Sequence, residues 1–127
     1  MLLLGVAGGA WGLLRRRGEH PAAAPIQVPQ PVGITVEVLN GSGRRGLART
    51  ATRVLREQGF DVLTFGTLND TVRVTEVLAR RGDSLAAARV VKALGVGMAR
   101  VALDTLLRLD VTVRLGADYA PPPAIRP

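Results

Sequence analysis

The chain has 127 residues, carries a formal net charge of +7 and contains no cysteine, one histidine and only four aromatic residues. This length suits one domain with extensions. The composition rules out disulfides and thiolate metal sites and leaves the core to aliphatic side chains. Sixteen of the 17 basic residues are arginine, Lys92 being the exception.

The first 14 residues, MLLLGVAGGAWGLL, carry no charge and are followed at once by Arg15, Arg16 and Arg17. A spanning helix needs roughly 20 apolar residues. A signal peptide places its positive charge ahead of the apolar run rather than behind it. We read residues 1–17 as a short membrane anchor or signal segment, with the three arginines opposing export of the rest of the chain. Residues 18–33 hold Pro21, Pro25, Pro29 and Pro31 beside the only histidine, His20. This density of proline blocks helix and favours an extended spacer. The tail, residues 120–127, repeats that composition and is expected to be disordered.

Between these flanks, residues 34–119 read as one domain. In 34–39 Ile34, Val36 and Val38 alternate with Thr35 and Glu37, the pattern of a half-buried strand. Residues 45–58 follow helical spacing through Leu47, Ala51, Val54 and Leu55, with Arg49, Arg53 and Arg56 on the outer side and Gly59 as the stop. Residues 60–65 (FDVLTF) form a second strand, with Phe60 and Phe65 assigned to the core, and GTLND a turn. Residues 73–78 form a third strand, on the β-branched run Val72, Val74, Thr75 and Val77. Asp83 or Ser84 then caps a second helix. That helix buries Ala87, Val90, Val91 and Leu94 and ends at Gly95. Residues 100–103 are a candidate short strand, and residues 110–115 (DVTVRL) a clear one. The order β-α-β-β-α-(β)-β predicts an α+β, two-layer sandwich, with two helices on one face of a mixed, mostly antiparallel sheet.

The connection from first strand to first helix carries the most specific short pattern: Gly41, Ser42, Gly43, Arg44, Arg45, Gly46, a G-x-G-x-x-G match. In a dinucleotide fold it opens one half of a larger parallel sheet and is followed about 20 residues on by an acidic ribose ligand. Here the domain has two helices, and Asp61 and Asp70 miss that position, so no nucleotide cofactor is expected. Glycine permits a sharp, closely packed turn, while free backbone N–H groups at a helix start attract anions. Asn40 and residues 41–46, with Arg44 and Arg45 as the grips, form the candidate anion or glycan contact.

Catalytic chemistry finds little support. The histidine lies in the spacer, and Asp104, Asp110 and Asp118 stand singly near strand ends, where aspartate usually caps turns. No metal site is expected. Tyr119 either packs on the domain or offers itself to a ligand. Between Ile34 and Tyr119, 13 Lys/Arg face 9 Asp/Glu, a net +4. That charge, without interleaved aromatics, argues against nucleic acid as a partner.

VEVLNGSGRRGLA, the helix ending QGFDV, RGDSLAAARVVKALG and DVTVRLGADY together resemble the C-terminal domain of LytR/CpsA/Psr proteins, over residues 34–119. The resemblance implies a cell-envelope setting and a stand-alone, non-catalytic module. Peptidoglycan, an anionic wall glycopolymer or an envelope protein would be its partner, with the domain on the extracytoplasmic side of the membrane. Relatives commonly carry an aromatic-containing strand after the second strand, and RVTEVL here has none. The remaining readings are a protein-interaction domain that uses a sheet edge and, further off, a basic nucleic-acid binder.

Overall fold

The computed structural model describes residues 33–123. The expected anchor, most of the spacer and the end of the tail lie outside them. No helix among the described residues is long and apolar enough to cross a membrane.

Seven elements succeed one another: β1 (Thr35–Asn40), α1 (Leu47–Glu57), β2 (Asp61–Thr67), β3 (Glu76–Ala79), α2 (Ser84–Leu94), β4 (Met98–Val101) and β5 (Val111–Leu115). The five strands form one sheet in the order β2-β1-β5-β3-β4. β1 pairs in parallel with β2 and with β5, and β3 in parallel with β4, while only β3 and β5 run antiparallel. The expected α+β, mixed-sheet sandwich is present. The mostly antiparallel pairing is not, because each helix connects two neighbouring strands and so forces them parallel.

The molecule is thus two β-α-β units, β1-α1-β2 and β3-α2-β4, with β5 between them. The units run in opposite directions and step outward to opposite sides. Two right-handed crossovers related in this way put both helices on the same face, and α1 and α2 touch. Val36 and Val38 of β1, Val77 and Ala79 of β3, and Val111, Val113 and Leu115 of β5 meet Leu47, Ala51 and Leu55 of α1 and Ala87 and Val90 of α2 in one aliphatic core.

The other face of the sheet is polar. Arg80 Nε donates to the Thr112 hydroxyl, which donates to Glu37, and Arg114 pairs with Glu76 at 2.9 Å. These cross-strand pairs let the second face meet water without a covering layer.

Helix ends obey local chemistry. After α1 the Phe60 N–H bonds Leu55 O and the Gly59 N–H bonds Arg56 O, a Schellman closure. Asp83 caps α2, its Oδ1 accepting from the N–H groups of Leu85 and Ala86. The third strand begins later than expected, at Glu76, because the backbone of Val72 and Val74 is held in loop contacts. The Val72 N–H bonds Gly41 O, and Val74 lies against Gly116. β4 begins at Met98, two residues before the expected 100–103.

Candidate binding site at the first strand-to-helix turn

Asn40 ends β1 and organises the turn. Its buried side chain accepts from the Ser42 N–H at 3.0 Å and the Ser42 hydroxyl at 2.6 Å, and donates to Arg44 O at 2.7 Å. The Ser42 hydroxyl also accepts the Arg44 N–H at 3.0 Å. Asparagine suits this position because its side chain offers both an acceptor and donors.

Gly41 is required by space. A Cβ there would meet Leu68 Cδ1 and Val72 Cγ2 at 2.9 Å and Leu115 O at 3.1 Å. Gly46 is required by conformation: it precedes α1 with φ 82°, in the left-handed region. The glycine pattern is accounted for by packing and turning.

The two arginines part company. Arg44 Nη2 donates to Ala117 O at 3.1 Å and also to Tyr119 O. It straps the segment after β5 to the turn, so its guanidinium already has protein partners. Arg45 is exposed, and among the described residues it has no side-chain hydrogen bond or ion pair. Both line a cleft of about 220 Å³ in which Asp70 also takes part. The acidic residue and the occupied Arg44 weaken this cleft as an anion grip.

A neighbouring cleft of about 290 Å³ shares Asn40, Gly46 and Thr67 with it and adds Arg49, Arg53 and Phe65. Phe65 does not sit in the core as expected: 44% of it is exposed. The irregularity in the β1–β2 register between Val36 and Glu37 makes Leu63 the extra residue and pairs Phe65 with Val38, on the core side, but β2 is the edge strand and the ring is left part-covered there. The ring therefore turns to the helix side of the edge strand, next to the outer arginines of α1.

α1 also begins without help. No side chain caps it, and its first turn contains no acidic residue. Gly46, at its start, borders both clefts, and no carboxylate in the first turn offsets the helix dipole there. Sequence reasoning took Arg49 and Arg53 for a solvated helix face. The signal that marks them is the recurrence of arginine at 45, 49 and 53, one turn apart.

The remaining candidates are structural. Asp104 Oδ1 accepts the Leu106 N–H. Asp110 holds the Thr35 N–H and hydroxyl, and Asp118 holds those of Thr75. No group of three or more metal-binding side chains occurs among the described residues. Tyr119 is fully buried and packs on the domain, and burial raises its phenol pKa from the usual value.

A family model described as "LytR cell envelope-related transcriptional attenuator" matches residues 33–119. Among solved structures, the solution structure of the C-terminal domain of RV0431 is similar at 27% identity, over 76% of this chain and 82% of that one, with a TM-score of 0.42. No curated protein sequence matches the chain.

Proposed function

The chain belongs to the LytR C-terminal domain family, a cell-envelope-related group, and on that premise we propose that its domain is a non-catalytic binding module of the envelope. It contacts peptidoglycan or an anionic wall glycopolymer at the mouth of the 40–46 turn. Residues 1–17 tether it to the membrane, and the proline-rich spacer holds it on the extracytoplasmic side. The observation that carries the reading is the uncapped start of α1, with the unpaired Arg45 beside it and no carboxylate in its first turn. Positive helix ends with open N–H groups favour anions.

A second reading, docking of an envelope protein, is favoured by β4. This edge strand is exposed at every residue, and Met98 and Val101 stand out of it. An exposed edge can accept a further strand.

The core lies wholly between Ile34 and Tyr119, so a 33–123 fragment is suitable for testing. The experiment is co-sedimentation with peptidoglycan sacculi at low and high salt. The expected result is pelleting that weakens with salt and falls in Arg45→Ala. Arg44→Ala is a poor probe, because it also releases the strap to Ala117 and Tyr119. No pelleting at either salt would overturn wall binding and leave the β4 edge as the functional surface.

A further inference from the structure

The outer side of α1 and the edge of β2 form a groove that starts at Asn40 and Gly46 of the turn and runs beyond it. The 290 Å³ cleft and a second of about 430 Å³ both contain Arg49, Arg53 and Phe65, so the two meet at these three residues. Neither arginine has an ion-pair partner or a side-chain hydrogen bond among the described residues. They stand one helical turn apart, about 6 Å along the axis. Further along the second cleft stand Glu57 and Arg56, the latter partly engaged, donating to Val62 O at 2.8 Å, so that three arginines face one carboxylate there. Thr52 borders the same cleft and has a buried hydroxyl without a partner.

Phe65 is the one aromatic side chain among the described residues that is not buried; Phe60 and Tyr119 are packed in the core. A large apolar ring in the same clefts as two arginines suits a ligand that is itself amphipathic, with a flat apolar face next to acidic groups. A free inorganic anion would use the arginines and leave the ring idle. A single-stranded nucleic acid would be read by several stacking platforms along a basic track, and this groove has one ring in a domain of net charge +4. A saccharide chain bearing carboxylate or phosphate groups meets both demands. The face of one sugar stacks on Phe65, and the acidic groups on either side reach Arg49 and Arg53.

We infer that the Arg49–Arg53–Phe65 groove binds an anionic polysaccharide chain, ring on Phe65 and acidic groups on the two arginines. This deepens the envelope-binding reading and rests on it.

The test is an NMR titration of the 33–123 domain with four probes: an oligogalacturonate (charged, with rings), polyphosphate (charged, without rings), a dextran oligomer (rings, uncharged) and an oligothymidylate. The expected result is binding of oligogalacturonate at low salt, with amide shifts centred on residues 49–53 and 65–67, and none with dextran. Arg49→Ala/Arg53→Ala weakens both charged probes about tenfold or more. Phe65→Ala weakens oligogalacturonate about tenfold and leaves polyphosphate unchanged. Circular dichroism of each variant establishes that it is folded. Tighter binding of oligothymidylate than of oligogalacturonate overturns the choice of ligand, and shifts centred elsewhere overturn the site. Sacculus pelleting that survives the double substitution sinks the groove while sparing the envelope reading. Loss of pelleting in the wild type removes both.

Discussion

The two ends of the sheet are built alike and finished differently. At one end β1 and β5 finish, β3 starts and α1 begins. At the other β1 and β5 start, β3 finishes and α2 begins. Each end is closed by a threonine and an aspartate. Asp118 accepts from the Thr75 N–H and hydroxyl, and the Thr75 hydroxyl accepts the Gly116 N–H. Asp110 accepts from the Thr35 N–H and hydroxyl, and the Thr35 hydroxyl accepts the N–H of Asp110 itself. The helix starts diverge. α2 has the Asp83 carboxylate on its first N–H groups, whereas α1 has Gly46 and nothing else. A carboxylate at a helix start satisfies orphan donors and opposes the dipole. The α2 end is thereby capped by its own sequence, and the start of α1 has neither a side-chain cap nor an acidic residue in its first turn.

The sharpest way to break this comparison is to disturb the α1 end alone. Gly116 lies against the loop before β3, and a Cβ there would meet Val74 C at 2.5 Å, Val74 N at 2.7 Å and Arg73 C at 2.8 Å. These are backbone atoms and cannot swing aside. Gly116→Ala is expected to cost about 3 kcal/mol through overpacking and to lower the Tm by more than about 10 °C. Thermal unfolding by circular dichroism checks it. A loss below about 1 kcal/mol would mean that this end is pliable, and the fixed geometry of the 40–46 turn would go with it.

A smaller effect sharpens the contrast from the other end. Asp83→Ala removes the cap of α2 and is expected to cost about 1 kcal/mol in urea denaturation. Pelleting on sacculi should stay as in the wild type, since Asp83 is remote from the α1 mouth. If the substitution costs nothing, Asp83 is not closing the helix, and the difference between the two ends loses its energetic meaning.

Much of this was legible in the chain. Period-two alternation at Val36 and Val38 and at Val111, Val113 and Leu115 marks strands, and Asp83 with Ala87 and Val90 behind it marks a capped helix. Strand direction was available too, since a single helix between neighbouring strands implies a parallel pair. The pattern of β-branched residues in 72–78 misled, because Val72 and Val74 serve the loop that packs on Gly41 and Gly116. Phe65 was misplaced because β2 lies at the edge of the sheet, where a helix-side ring stays partly open, and neither strand order nor the inserted residue that sets its side is marked by a local pattern. The role of Arg44 was hidden for a different reason. Its partners, Ala117 and Tyr119, are backbone carbonyls more than 70 positions away, and carbonyls carry no sequence signature. The geometry of the turn was thus legible from Asn40 and its glycines, the engagement of Arg44 was not, and only the folded chain brings Arg49, Arg53 and Phe65 together.

The smallest effect concerns how tightly the α1 end is closed over Tyr119. The ring is fully buried, its hydroxyl has no partner, and Arg44 holds its carbonyl. Burial disfavours the phenolate and raises the pKa from 10.0. The unfolded chain then loses its proton at lower pH than the folded one, so the stability tied to neutral Tyr119 is intact below pH 10 and is lost as pH climbs through the folded-state pKa. Tyr119→Phe removes the titrating group and an unsatisfied buried hydroxyl together. At about pH 7 the variant should match the wild type or exceed it by less than about 1 kcal/mol. At about pH 11 it should be clearly the more stable of the two. Urea denaturation of both proteins at the two pH values separates the cases. Equal losses would show that alkaline destabilisation comes from elsewhere and that water reaches the phenol. A gap that opens only at high pH would place a sealed tyrosine directly behind the turn.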